Sequence, residues 1–102
     1  MSEQPPYVLS AAFRRPNRAR AVYAQIEALL YDQPADLSAY NLILNGQPMV
    51  IVLGHPPRPE LHAAIERLLG AGQPVAVPEP VLAELFKRSR GEWAKDASPR
   101  HP

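Results

Sequence analysis

Six basic side chains stand in two short groups, Arg14, Arg15 and Arg18 in the first and His55, Arg58 and His62 in the second. Each group opens a segment whose apolar residues recur at helical spacing, so each is expected at a helix N-terminus. Free backbone amides and the positive end of the helix dipole gather there, and guanidinium groups add forked donors that suit phosphate or carboxylate. Positive side chains at a helix start oppose the dipole, at about 0.3 kcal/mol or more each. A bound anion would reverse that penalty, which makes all six residues candidates for an anion-binding site. The simpler reading is a solvated, arginine-rich turn, since exposed arginines are common.

Other chemistries find less footing. His55, Glu60 and His62 offer metal ligands within eight residues, but the spacing does not place two imidazoles on one helical face, and structural zinc needs a fourth ligand. No metal site is assigned. The absence of cysteine removes disulfides, thiolate ligands and thiol nucleophiles together. No serine, histidine and acid arrangement and no converging carboxylates can be picked out, so no catalytic residue and no cofactor is assigned, and a non-enzymatic role is expected. Lys87, Arg88 and Arg90 fall in the later turns of a C-terminal helix, where positive charge favours the dipole, and this explains them without nucleic acid.

Strand-like runs, Tyr7–Phe13, Tyr40–Leu44 and Met49–Leu53, must position these residues together with helical stripes between them. Ala19, Val22, Ile26 and Leu29 mark a first helix that begins near Pro16 and ends before Pro34. Asn45-Gly46 between two apolar runs signals a hairpin joining strands two and three. Strand three is apolar at every position, as befits a centre covered on both faces, while Asn41 and Asn45 suit strand two to an edge. Leu61, Ala64, Ile65 and Leu68 give a second helix that stops at Gly70 and Gly72. Pro74–Pro78 allows one short edge strand, and Pro80 opens a last helix carrying Leu82, Leu85, Phe86, Ser89 and Trp93 along one stripe.

At 102 residues, 46% hydrophobic and 21% charged, the chain has ordinary globular usage and room for one core. A single α/β domain is expected over residues 7–95, between flexible tails at 1–6 and 96–102. The net charge of +1 is spread unevenly, +2 over residues 1–31, −4 over 32–86 and +3 over 87–102. No apolar run approaches the roughly 20 residues of a membrane span, so a cytoplasmic protein without membrane partners is expected.

The order β-α-β-β-α-β followed by a helix is the split βαβ pattern. It predicts an α+β, ferredoxin-like sandwich with an antiparallel sheet of order 4-1-3-2 and an additional C-terminal helix. Strands one and three are expected to run parallel side by side, so that both helices begin at the same sheet edge and all six basic residues converge, with Ser38 and Tyr40 nearby. RNA-recognition modules share this order, but they stack bases on aromatic residues of the central strands, and Met49–Leu53 has none. Arg14 and Asn45 invite comparison with acylphosphatase-like enzymes, yet Leu9-Ser-Ala-Ala-Phe-Arg14 lacks the glycine-rich phosphate cradle.

Both helices of such a sandwich cover one sheet face. The other must be hidden by the Leu82/Phe86/Trp93 helix or by a second copy. The leading expectation is therefore a small interaction or regulatory module that forms a homodimer through an open sheet face or the C-terminal helix, with Leu82, Phe86 and Trp93 at the interface. The alternative is a protein that binds an anion or small molecule, as a binder or as an enzyme, at the arginine-rich edge. RNA binding is a weaker alternative, and nucleic acid is not expected as a partner.

Overall fold

The computed structural model describes residues 7–97, with side chains described as far as Ser89. The elements in chain order are β1 (Tyr7–Ala12), α1 (Pro16–Asp32), β2 (Leu37–Leu44), β3 (Gln47–Gly54), α2 (Pro59–Leu69), β4 (Gln73–Pro74) and α3 (Glu79–Ala97). The strands form one antiparallel sheet in the order β2-β3-β1-β4, which counted from the other edge is β4-β1-β3-β2. Over the described residues the fold is α+β, with a four-stranded antiparallel sheet and three helices.

Local chemistry explains most of the boundaries. Pro16 at the first position of α1 supplies a preset φ and lacks only an N–H that a helix start leaves unpaired anyway. Asn45 and Gly46 both adopt positive φ, 52° and 79°, which is the two-residue turn whose twist matches that of the flanking strands. β2 begins at Leu37, three residues before the run read from sequence, because Leu37 and Ala39 are buried under α1 and α2 and keep the pairing with β3 going. β4 is shorter than expected. Pro74 has no N–H for the ladder, so only Gln73 and Pro74 pair with β1, and the chain then runs on through Val75 and Val77, which pack on the sheet.

β3 lies between β2 and β1 and divides the interior into two cores. Val50 and Val52 point to the side of α1 and α2, where they meet Ala19, Val22 and Ile26 of α1 and Leu61, Ile65 and Leu69 of α2. Met49, Ile51 and Leu53 point to the other side and meet Val77 and Leu85. Five consecutive apolar residues, all at 2% exposure or less, are thus the expected signature of a strand covered on both faces. Leu82 and Phe86 of α3 pack against the second core, so this chain's own helix covers the sheet face opposite α1 and α2. Tyr40 Oη and Ser89 Oγ, 2.6 Å apart, tie α3 to β2 and give the fully buried Ser89 hydroxyl its partner. The Trp93 side chain, the tail expected at residues 1–6, and residues 98–102 of the tail expected at 96–102 lie outside what is described, while residues 96 and 97 belong to the end of α3.

One expectation is overturned. β1 and β3 are antiparallel, with Tyr7 opposite Gly54 and Ala12 opposite Met49. The crossover through α1 returns the chain in the β1 direction, and the β2–β3 hairpin then reverses it, so adjacent β1 and β3 must oppose each other. The starts of α1 and α2 consequently lie at opposite ends of the sheet, separated by a six-residue strand or about 20 Å.

Candidate functional site

The six basic residues fall into two separate places. Arg14, Arg15 and Arg18 line an open cleft of ≈ 1020 Å³ at the end of the sheet where β1 gives way to α1. Its other walls are the β2–β3 turn at Gly46–Pro48 and the α2–β4 connection at Ala71–Gln73. The antiparallel register builds it. The hairpin turn follows the last residue of β2 at the end where β1 finishes, and Phe13 seals the floor by donating its N–H to the Pro48 carbonyl at 2.8 Å.

The electrostatics of this cleft are one-sided. All three arginines are exposed, and Asn17, Gln47 and Gln73 add neutral polar groups, while none of the described residues lining it is acidic. α1 starts here with Arg15 as N-cap in extended geometry, with no side-chain cap and no acidic residue in its first turn. Pro16 has no N–H, and the Arg18 and Ala19 amides both reach the Arg15 carbonyl, at 3.1 and 3.2 Å. Asn17 is left as the first-turn amide with no intrahelical carbonyl to meet. Positive dipole end, open amide and three guanidinium groups face one space that a small anion could occupy.

The opposite end is arranged differently. Arg58 Nη2 donates to Gln33 Oε1 at 2.7 Å, tying the start of α2 to the end of α1. Glu60 stands in the first turn of α2 and compensates its dipole. His62 is engaged on both ring nitrogens, with Tyr7 Oη 2.7 Å from Nδ1 and Glu66 Oε1 3.4 Å from Nε2. With the ring proton on Nε2, the Tyr7 hydroxyl donates to Nδ1 and Nε2 donates to Glu66. The His55 amide donates to the Asp36 carbonyl at 3.0 Å. Among the described residues no three histidine, aspartate or glutamate side chains come together as a metal site.

No protein family, curated protein or solved structure matches this chain.

Hydroxyl, imidazole and carboxylate in sequence resemble the arrangement that activates a nucleophile, but the Tyr7 hydroxyl is tuned the wrong way. Burial, followed by the nearby Glu66 carboxylate, pushes its pKa up from 10.0 to about 12. An activated nucleophile needs the opposite shift. Through these contacts Tyr7, His62 and Glu66 form a polar tie between β1 and α2. Because the folded hydroxyl holds its proton more tightly than the unfolded one, its contribution to stability is complete below pH 10 and is lost as pH rises through about 12. Absorbance titration of the four tyrosines should show one ionising near pH 12, a step missing from Tyr7→Phe. Persistence of that step in the variant would contradict the assignment.

The sequence pointed to the arginines but not to the backbone that completes their cleft. Once β1 and β3 are set antiparallel, the Asn-Gly turn and the α2–β4 connection must fall beside α1, and that inference was open from the strand order alone. Tyr7 was legible only as a strand residue, since its partner is 55 positions away in sequence. Lys87 and Arg88 are exposed on α3, and the Arg90 side chain lies outside those described.

Proposed function

We propose that this protein is a small-anion-binding module whose site is the cleft framed by Arg14, Arg15 and Arg18. The supporting observation is that one open cleft gathers three arginines and an uncapped helix start, with no acidic residue among the described residues that line it. His55, Arg58 and His62, counted with them from the sequence, stand about 20 Å away and do not belong to this site. The ligand class is a phosphate, a sulfate or a carboxylate on a small molecule. The cleft is wide enough to admit a group larger than the anion itself.

Thermal unfolding in phosphate or sulfate, against chloride at equal ionic strength, tests the proposal. At a ligand concentration tenfold above Kd, binding stabilises the fold by about 1.4 kcal/mol, or several degrees in Tm for a domain of this size. Arg15→Glu and Arg18→Glu should abolish the rise, and Arg58→Glu should leave it intact. Equal Tm in all three salts would refute the anion site.

Self-association through an open sheet face or through Leu82 and Phe86 has less support, because α3 of the same chain lies on that face. The fold reading that accompanies the proposal is ferredoxin-like, in a variant with a two-residue fourth strand and a third helix on the second face. Its support is the order of elements, with two crossover helices on one side of an antiparallel sheet.

A further inference from the structure

Among the described residues β2 is an edge strand of eight residues, paired with β3 on one side only. Its register with β3 runs without a bulge from Leu37 opposite Gly54 to Leu44 opposite Gln47. The Pro48 carbonyl accepts from Phe13, so the backbone groups of Pro48 face β1, and its partner Ile43 turns its own N–H and C=O away from β3. By the alternation of the ladder, Leu37, Ala39, Asn41 and Ile43 all present N–H and C=O to the open edge.

Edge strands are normally guarded by charge, proline, a bulge or shortness. Leu37–Leu44 carries no charged residue, no proline and no bulge, and it includes Ile43, which is 65% exposed. The other edge is different. β4 is two residues long and contains Pro74, so it offers no comparable ladder.

We infer that the open edge of β2 pairs with β2 of a second copy, antiparallel about a twofold axis, to make one continuous eight-stranded sheet. An unpaired ladder accepts an extended strand, and an uncharged one meets no repulsion from its own copy. Because β4 is closed to pairing, a head-to-tail contact between β2 and β4 cannot propagate, and β2 against β2 is the contact that closes on itself. Side-chain alternation restricts the register to those that keep like faces together. The register that engages all four outward residues of each strand sets Leu37 opposite Ile43 and Ala39 opposite Asn41, with Tyr40 beside its own counterpart at the axis. Ile43 then lies against Leu37 of the second copy, a residue already in the α1 and α2 core. This surface is distinct from the arginine cleft and stands or falls independently of it.

Sedimentation equilibrium of the full chain from micromolar to millimolar concentration should give twice the 11.3 kDa monomer mass. Asn41→Pro removes only an outward N–H, since Asn41 makes no ladder bond to its partner Val50, and Ile43→Lys places a charge on the edge. Both variants should sediment as monomers with the wild-type far-ultraviolet circular dichroism. Ile43→Lys keeps the test open should Asn41→Pro disturb the fold. Hydrogen exchange of the Asn41 and Ile43 amides should slow with rising wild-type concentration. A monomeric wild-type protein overturns the inference, whether those amides exchange freely or are protected by the chain's own termini. A dimer that survives both substitutions overturns it too, since it must use another surface.

Discussion

Gly54→Ala is expected to destabilise the fold by about 3 to 5 kcal/mol, the largest effect of a methyl group added at any of the described glycines. Gly54 closes β3 at φ +149°, a conformation that L side chains rarely adopt. A Cβ there would overlap the Asp36 carbonyl oxygen and lie 3.0 Å from both the Asp36 carbonyl carbon and the Leu37 Cα. These are backbone atoms, so no rotamer change can make room. The same point joins three segments, because Gly54 stands opposite Leu37 of β2 and Tyr7 of β1 while the next amide, that of His55, donates to Asp36. Urea unfolding monitored by circular dichroism should show the midpoint fall sharply or the native baseline vanish. A loss below about 1 kcal/mol would mean that the loop from α1 to β2 can move aside.

Ile51→Ala should cost about 2 to 5 kcal/mol, the range for emptying a large aliphatic site in a packed core. Ile51 is fully buried in the centre of β3, on the face away from α1 and α2. In a two-layer sandwich that face would meet solvent, and the loss would be small. The expected cost therefore measures how firmly α3, through Leu85, Leu82 and Phe86, and the Val75–Val77 segment seal the second core. Val52→Ala, on the first core, is the natural companion. Comparable losses from both would show that the sheet is clamped equally from its two sides, whereas a loss below about 1 kcal/mol for Ile51 alone would show α3 to be loosely docked.

The parts of this fold that could be read from the sequence are those fixed by short-range chemistry. Asn45-Gly46 demands its turn, the uninterrupted apolar run of β3 demands cover on both sides, and the stripes of α1 and α2 end where polar, proline or glycine residues end them. Long-range direction was harder. Placing β1 and β3 parallel merged two basic groups that the antiparallel ladder holds apart, and it assigned Arg58 and His62 to an anion when Gln33, Tyr7 and Glu66 engage them. Exposure was also illegible: Leu37 and Ser38 do not look like the start of an edge strand until their pairing with Gly54 and Leu53 is known. The arginines of α1 were visible because their charge runs against the helix dipole, a local conflict that packing does not explain.

The most direct test of the anion site is a phosphate titration followed by backbone amide shifts in a two-dimensional proton–nitrogen spectrum. Shifts that saturate at Arg15, Asn17, Arg18, Gly46 and Gly72, with His55, Arg58 and His62 unmoved, are the expected result. Shifts of equal size at both ends of the sheet, or none that saturate, would contradict a site at the start of α1.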